Sequence, residues 1–103
     1  AIEELAPLVA REPLARQPSA ELVLGLVGDV GDLSKLAQGK AGVRPHADLD
    51  AALEHELADC LWSVIAIADA YGVDLEQAFS RSMDALAQSL ESEPRSPSEN
   101  STQ

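Results

Sequence analysis

The chain has few basic residues, few aromatic residues and a single cysteine. Its 103 residues include 7 Lys and Arg against 18 Asp and Glu, which gives a formal net charge of −11. This charge argues against binding to a nucleic acid polymer, because the phosphate backbone would be repelled. One cysteine cannot form an intrachain disulfide. A ligand that carries phosphate would need metal ions to bridge it to so acidic a protein.

Long apolar runs and the alternating pattern of a half-buried β-strand are also missing. No apolar stretch is long enough to span a membrane, and the first residues lack the basic-then-apolar pattern of a signal peptide. We therefore expect a cytoplasmic protein that binds no membrane. Aromatic residues make up 3% of the chain while Ala and Leu dominate it, which favours an all-α fold. A chain this short, with 46% hydrophobic residues, buries only a modest core, so we expect an oligomer.

Apolar residues at helical spacing predict four helices, which Gly, Pro and capping residues separate. In chain order these are a short or broken helix within residues 1–17, a helix from an N-cap at Ser19 to Gly39, a helix from about Leu49 to Tyr71 with Gly72 as its C′ residue, and a helix that Asp74 and Gln77 open as a capping box. We expect one four-helix-bundle-type domain over residues 1–91. Residues 92–103 lack apolar anchors and are predicted to form a disordered tail.

The apolar faces of the two central helices both contain acidic residues. In the second helix, Asp29 lies within a stripe of four leucines, Leu22, Leu26, Leu33 and Leu36. In the third helix, Glu56 lies at the edge of a broader stripe formed by Leu53, Leu57, Cys60, Leu61, Val64, Ile67 and Ala68. The residues one turn away from Glu56 offer no cation. A carboxylate turned toward a core is costly without a partner, so a group from elsewhere, such as a metal ion, is expected to compensate it.

The aromatic residues and the glycines of the central helices are assigned to packing. Phe79 and Met83 lie on the apolar face of the fourth helix and are predicted to belong to the core. Trp62 lies on the opposite side of the third helix from the apolar stripe, and we expect it to pack against the first helix or a partner subunit rather than stack on a base. Gly28 and Gly31 are interpreted as sites of close helix or backbone approach.

Two pairs of acidic residues are the candidate functional residues of the sequence. Asp29 and Asp32 on the second helix are three residues apart, as are Glu56 and Asp59 on the third, so each pair lies on one helix face. Packing these faces together would gather four carboxylates in one pocket. Hard oxygen donors in that number suit Mg²⁺ or Mn²⁺, and a bound metal would offset the cost of the buried charge. The alternative is that the four residues are helix caps or surface acids of an acidic protein.

Two other kinds of site do not fit the sequence. Di-iron helical bundles use a Glu-x-x-His signature, which the chain lacks. Cys60 lies in the apolar stripe of the third helix and is most simply a core thiol, so no nucleophile with an adjacent base is predicted.

Three short motifs resemble those of the MazG-like nucleoside triphosphate pyrophosphohydrolases. They are GDVGDL at residues 28–33, ELAD at residues 56–59 and YGVDL at residues 71–75. The family pattern is Glu-Glu-x-Gly-Glu-Leu on one helix, Glu-x-x-Asp on the next, and a Gly-hydrophobic-Asp-Leu turn into the last helix. The order and spacing of the motifs make the resemblance specific, and it covers roughly residues 19–90.

The resemblance implies an all-α bundle, dimeric or tetrameric, that binds Mg²⁺. Such enzymes cleave nucleoside triphosphates between the α and β phosphates to a monophosphate and pyrophosphate, in some cases as house-cleaning of noncanonical nucleotides. Carried over by position, the catalytic and metal-binding residues would be Asp29, Asp32, Glu56 and Asp59. The ions would neutralise the triphosphate and lower the pKa of the water that attacks the α phosphorus.

The chain also departs from the family pattern. Gly28 replaces the first acid of the doubled pair, and two ligand positions usually held by Glu are Asp29 and Asp32. Ser82 and Leu86 stand where the last helix often carries Lys and Asn. These departures favour the alternative of a non-catalytic helical bundle that binds nucleotide, metal or a protein partner. A phosphoribosyl-ATP pyrophosphohydrolase would have extra acids in the first motif, and these are missing.

Overall fold

The computed structural model describes residues 1–42 and 48–92 and is all-helical within them. The described part contains four α-helices, a short 3₁₀ helix and no β-strand. The helices are α1 (Ile2–Ala10), the 3₁₀ helix (Pro13–Arg16), α2 (Ser19–Lys40), α3 (Leu49–Ala70) and α4 (Leu75–Ser92). None of them is long and apolar enough to cross a membrane. The all-α prediction is confirmed for these ranges. Ser92, the first residue of the predicted tail, ends α4, and residues 93–103 lie outside the described residues.

The two prolines near the N-terminus act differently. Pro7 lies inside α1 without ending it, whereas Pro13 begins the 3₁₀ helix, where a missing backbone N–H is tolerated. The next helix, α2, has Pro18 rather than Ser19 as its N-cap. Ser19 is already helical, and the carbonyl of Pro18 accepts hydrogen bonds from the backbone N–H groups of Glu21 and Leu22 at 2.9 and 3.1 Å. The prediction of Ser19 as N-cap is therefore wrong by one residue.

The junction between α3 and α4 follows the sequence closely. Gly72 has φ of +66°, its N–H donates to the carbonyl of Asp69 at 3.1 Å, and the N–H of Val73 donates to the carbonyl of Ala68 at 2.8 Å. This is the Schellman arrangement, in which the left-handed residue is usually glycine. Two residues on, the Asp74 carboxylate accepts from the N–H of Gln77 at 3.1 Å and caps α4.

The core lies where α1, α2 and α3 meet. Val9, Leu22, Ile65 and Ala66 form its buried cluster, and half-buried Trp62 packs against them. The leucine stripe predicted for α2 is confirmed, because Leu22 and Leu36 are buried and Leu26 and Leu33 are half-buried. The face of α2 that carries Asp29 is thus turned toward α3.

The buried face of α3 is rotated from the predicted stripe. Leu57 and Leu61 are 52% and 48% exposed, whereas the buried residues of this helix are Ser63, Ile65, Ala66 and Ala68. Both α1 and α2 pack on α3, so the buried surface of α3 is divided between two neighbouring helices.

The apolar face of α4 is exposed in the single chain. Phe79 and Met83 are 55% and 41% exposed, and Leu86 and Leu90 are also exposed. The prediction that Phe79 and Met83 belong to the core is therefore wrong for one chain. The main packing partner of α4 is α1, near the backbone N–H of Glu3, which donates to the Glu76 carboxylate at 3.2 Å. Within the described ranges, the opposite face of α4 meets little but solvent.

Candidate metal centre

Three of the four predicted acids meet between α2 and α3. Asp29 and Asp32 lie one turn apart on α2, and both face Glu56 of α3. One carboxylate oxygen from each of the three lies within 4.8 Å of the others. Helix periodicity places the two aspartates on one face, and the packing of α2 on α3 brings that face to Glu56.

Glu56 is the acid with the least favourable surroundings. Its Oε1 atom is buried and has no hydrogen-bond partner among the described residues. Burial raises the pKa of Glu56, and the negative charges of Asp29, Asp32 and Asp59 raise it further. A cation at this point would satisfy the oxygen and reverse the effect of the like charges.

Asp29 is held by a residue that the sequence analysis did not single out. The buried Ser63 hydroxyl of α3 donates to Asp29 Oδ2 at 3.1 Å. The signal for this contact was a lone serine in an apolar run, seven residues after Glu56 and therefore on the same face of α3. The hydrogen bond ties the orientation of the Asp29 carboxylate to α3.

Asp59 stands apart from the other three acids. It lies one turn after Glu56, and its Oδ2 atom is 3.2 Å from His55 Nε2 at the surface of α3. It nevertheless lines a cavity that Asp29 also lines. The structure thus gathers three of the predicted carboxylates and leaves Asp59 next to them, paired with a histidine.

The glycines of α2 do not mark a close approach within the chain. A Cβ atom placed on Gly28 or Gly31 meets no atom of the described residues within 4 Å beyond its own helical turn. Both glycines are exposed. The packing role predicted for them is therefore not seen in the single chain.

The donor set at the centre fits a hard divalent cation. All three clustered groups are carboxylates, which suit Mg²⁺ or Mn²⁺, and one of their oxygens is buried without a partner in the described chain. Lys35 lines a second cavity, together with Asp32 and Glu56. The acidic centre is thus flanked by one cavity that Lys35 lines and, on the Asp29 side, by a larger one.

The described chain is an all-α domain with an acidic cluster between two of its helices, and comparison of the sequence with protein families identifies its class. The profile of the MazG nucleotide pyrophosphohydrolase domain matches residues 17–89, so the chain belongs to this family.

Curated relatives are similar to this chain over the same region. The dCTP pyrophosphatase 1 of Mus musculus is 40% identical over 72 residues, which cover 65% of this chain and 42% of the relative. The dCTP pyrophosphatase 1 of Bos taurus is 41% identical over 68 residues, which cover 61% of this chain and 40% of the relative. The matched part of the chain therefore spans less than half the length of these relatives.

Proposed function

We propose that the chain is a divalent-metal-dependent pyrophosphohydrolase of nucleoside triphosphates. It cleaves NTPs or dNTPs between the α and β phosphates to give a monophosphate and pyrophosphate, with Mg²⁺ as the cofactor and Mn²⁺ as a substitute. The observation that carries this proposal is the meeting of Asp29, Asp32 and Glu56, with an oxygen of Glu56 buried and unpartnered in the described chain. The names of the relatives make dCTP the first substrate to test.

Four carboxylates are assigned to the metal. Asp29, Asp32 and Glu56 would hold the ion, and Asp59, which lies beside them, would be the fourth ligand. A bound divalent ion supplies neutralisation of the triphosphate charge and acidification of water. At a net charge of −11, the protein by itself would repel the substrate, so its affinity for a triphosphate depends on that neutralisation.

Two further residues of the centre have supporting roles: one orients a carboxylate, and the other offers positive charge to the phosphates. Ser63 fixes Asp29 through the hydroxyl hydrogen bond, which restricts how that carboxylate can rotate. Lys35 lies at the cavity beside Asp32 and Glu56, where its ammonium group favours the binding of phosphate oxygens. Lys40 is used differently, because its Nζ atom is 2.8 Å from Asp50 and links the end of α2 to the start of α3.

The assembly is proposed to be a homodimer or homotetramer in the cytoplasm. The apolar residues that α4 exposes, Phe79, Met83, Leu86 and Leu90, are the surface that a second copy would cover. Leu57 and Leu61 of α3 add to the exposed apolar surface near the acids.

A non-catalytic binding module is the second candidate. It is favoured by the position of Asp59, which pairs with His55 outside the three-acid cluster, and by the missing carboxylate at Gly28. Such a module would bind metal and nucleotide without releasing pyrophosphate.

The test is pyrophosphate release from a panel of NTPs and dNTPs, with and without Mg²⁺ or Mn²⁺. Wild type is compared with Glu56→Gln and with Glu54→Gln, which makes the same change at an exposed position of α3. We expect metal-dependent release that Glu56→Gln lowers by more than about 100-fold, the upper range for loss of an outer-shell partner. Glu54→Gln should behave as wild type. Equal turnover in Glu56→Gln would overturn the metal assignment, and metal binding without any release would favour the binding module.

A further inference from the structure

Lys35 of α2 is an exposed cation that makes no ion pair with the described residues. Lys40 on the same helix shows the contrast, because its Nζ atom lies 2.8 Å from a carboxylate oxygen of Asp50. The chain contains 18 acidic residues, yet none of those in the described ranges binds the Lys35 ammonium group. The charge of Lys35 is therefore available to an anion from outside the chain.

Lys35 lies next to the acidic centre, at a cavity between α2 and α3. It follows Asp32 by about one helical turn, so the two residues share a face of α2. The cavity has a volume of about 280 Å³ and is also lined by Asp32 and Glu56, two of the three clustered acids. Buried Leu36 and half-buried Ala52 line it as well. This volume is just below the range of sites for drug-sized ligands, so the cavity suits a small group rather than a whole nucleotide.

The other cavity at the centre, on the Asp29 side, has the opposite charge. Trp62 lines that larger cavity, and its described lining contains neither Lys nor Arg but four carboxylates, which belong to Glu12, Glu21, Asp29 and Asp59. Phosphate oxygens are repelled by such a lining. At the Lys35 cavity, the two acids are ones assigned to the metal ion, so the bound ion offsets their charge.

The end of a nucleoside triphosphate that the proposed reaction removes carries most of its charge. Water attacks the α phosphorus and gives up a proton to solvent, while pyrophosphate leaves with the bridging oxygen and the electron pair of the broken bond. An ammonium group near this end binds its oxygens through charge-assisted hydrogen bonds and offsets the charge that develops on the leaving group. Of the two cavities, the one lined by Lys35 therefore suits this end of the substrate.

We infer that the Lys35 cavity is the subsite for the β and γ phosphoryl groups, which leave as pyrophosphate, and that Lys35 holds them there. The α phosphorus then lies at the acidic centre. A diphosphate has one phosphoryl group fewer beyond the α phosphorus, so the subsite favours triphosphates over diphosphates and binds free pyrophosphate more tightly than orthophosphate. The inference rests on the proposed function, since it takes the acidic centre as the place of cleavage.

The test measures the binding of pyrophosphate and of orthophosphate by isothermal titration calorimetry in the presence of Mg²⁺. Wild type is compared with Lys35→Gln, with Lys35→Arg, which keeps the charge, and with Lys40→Gln. The last variant makes the same substitution and the same change in net charge on the same helix, at an exposed ion pair that contributes little to stability. Circular dichroism checks that all three variants remain helical.

We expect wild type to bind pyrophosphate about tenfold or more tightly than orthophosphate. Lys35→Gln should lower the pyrophosphate affinity about tenfold, as expected for the loss of one hydrogen bond to a charged group. Lys35→Arg should retain most of the affinity, and Lys40→Gln should bind as wild type does. Equal pyrophosphate affinity in Lys35→Gln and wild type overturns the subsite, as does an equal loss in Lys40→Gln. Equal affinity of wild type for the two anions overturns the preference for the longer one.

Binding of Mn²⁺ separates a role in holding phosphate from a role in shaping the metal centre. Removal of an ammonium group beside carboxylates removes a repulsion for a cation, so Lys35→Gln should bind Mn²⁺ at least as tightly as wild type. Weaker binding of Mn²⁺ by Lys35→Gln would place the effect of the substitution at the metal centre and overturn the inference.

The hydrolase and the subsite fail separately. Pyrophosphate affinity that Lys35→Gln lowers, in a wild type that releases no pyrophosphate from any nucleotide, retains the subsite and rejects the hydrolase. Metal-dependent release with a KM and a kcat that Lys35→Gln leaves unchanged retains the hydrolase and rejects the subsite.

Discussion

Two regions of the chain depart from normal protein packing in opposite ways. One is the contact between α2 and α3, and the other is the exposed helix α4. Between α2 and α3, three carboxylates approach one another, and one oxygen of Glu56 is buried without a partner in the described chain. On α4, Phe79 and Met83 are exposed along an apolar face. The first region turns charge toward the interior, and the second turns hydrophobic surface toward solvent.

The difference shows what each region needs from outside the chain. Clustered carboxylates need a cation, since the apolar side chains around them do nothing to offset their mutual repulsion. An amphipathic helix needs an apolar surface opposite to it. The proposed metal centre is thus mostly built within one chain, while α4 leaves an apolar face for the proposed association.

The largest expected effect concerns α4. The double change Phe79→Asp with Met83→Asp places two charges on the apolar face, where a partner subunit would have to desolvate them. We expect the oligomer to dissociate to monomers, measured by sedimentation velocity. Gln88→Asp, on the polar side of the same helix, is the control and should keep the assembly of wild type. If wild type itself sediments as a monomer, the proposed role of α4 in association is wrong.

The next effect concerns Glu56 and pH. Because its pKa is raised above the ordinary value of 4.5, the folded chain binds more protons than the unfolded chain above that pH. The free energy of unfolding contributed by Glu56 therefore falls as pH rises from the ordinary value through the raised one. Without divalent metal, Glu56→Gln should melt higher than wild type, by a margin that grows with pH across this window.

Mg²⁺ should remove the difference in melting temperature between Glu56→Gln and wild type. A ligand at about 100 times its dissociation constant stabilises the folded state by about 2.7 kcal/mol. We expect Mg²⁺ to raise the melting temperature of wild type clearly more than that of Glu56→Gln, because the variant binds the ion about tenfold or more weakly. Differential scanning calorimetry in the two conditions makes the comparison. Equal responses of the two proteins to Mg²⁺, or a margin that shrinks with rising pH, would contradict the account of Glu56.

The smallest effect concerns the junction that separates the two regions. Gly72 has a positive φ, which costs an L-amino acid with a side chain about 1–2 kcal/mol. Gly72→Ala should therefore lower the free energy of unfolding by about that amount in urea titrations. Gly31→Ala, in the helical backbone of α2, should be neutral or stabilising. A loss at Gly31 as large as that at Gly72 would show that backbone conformation is not the cause.

Local features of the fold could be predicted from the sequence, whereas the surfaces that meet could not. The turn at Gly72, the cap at Asp74 and the inward side of α2 at Asp29 depend on neighbouring residues alone. Periodicity identifies which residues share a face, but it does not identify the element that covers the face. Phe79 and Met83 are exposed because the described chain covers little of their face of α4, which no local pattern shows.

The residues of the site likewise divide into those that local spacing predicts and those whose position depends on the folded chain. Spacing along each helix predicted that Asp29 and Asp32 would share a face, and the structure places Glu56 opposite them. Asp59 lies outside the three-acid cluster, with its Oδ2 atom 3.2 Å from His55 Nε2, which the spacing of the acids did not predict. The cavity beside Trp62 involves residues from several elements, so it is visible only after folding.

The most direct test of the acidic centre is a titration with Mn²⁺, followed by the electron paramagnetic resonance signal of the free ion. We predict that wild type and Glu54→Gln retain Mn²⁺, while Asp29→Asn and Glu56→Gln each bind it about tenfold or more weakly. Because the readout is binding, it is independent of turnover. Retention of Mn²⁺ by Asp29→Asn and Glu56→Gln at the affinity of wild type would contradict the claim that α2 and α3 together form a metal site.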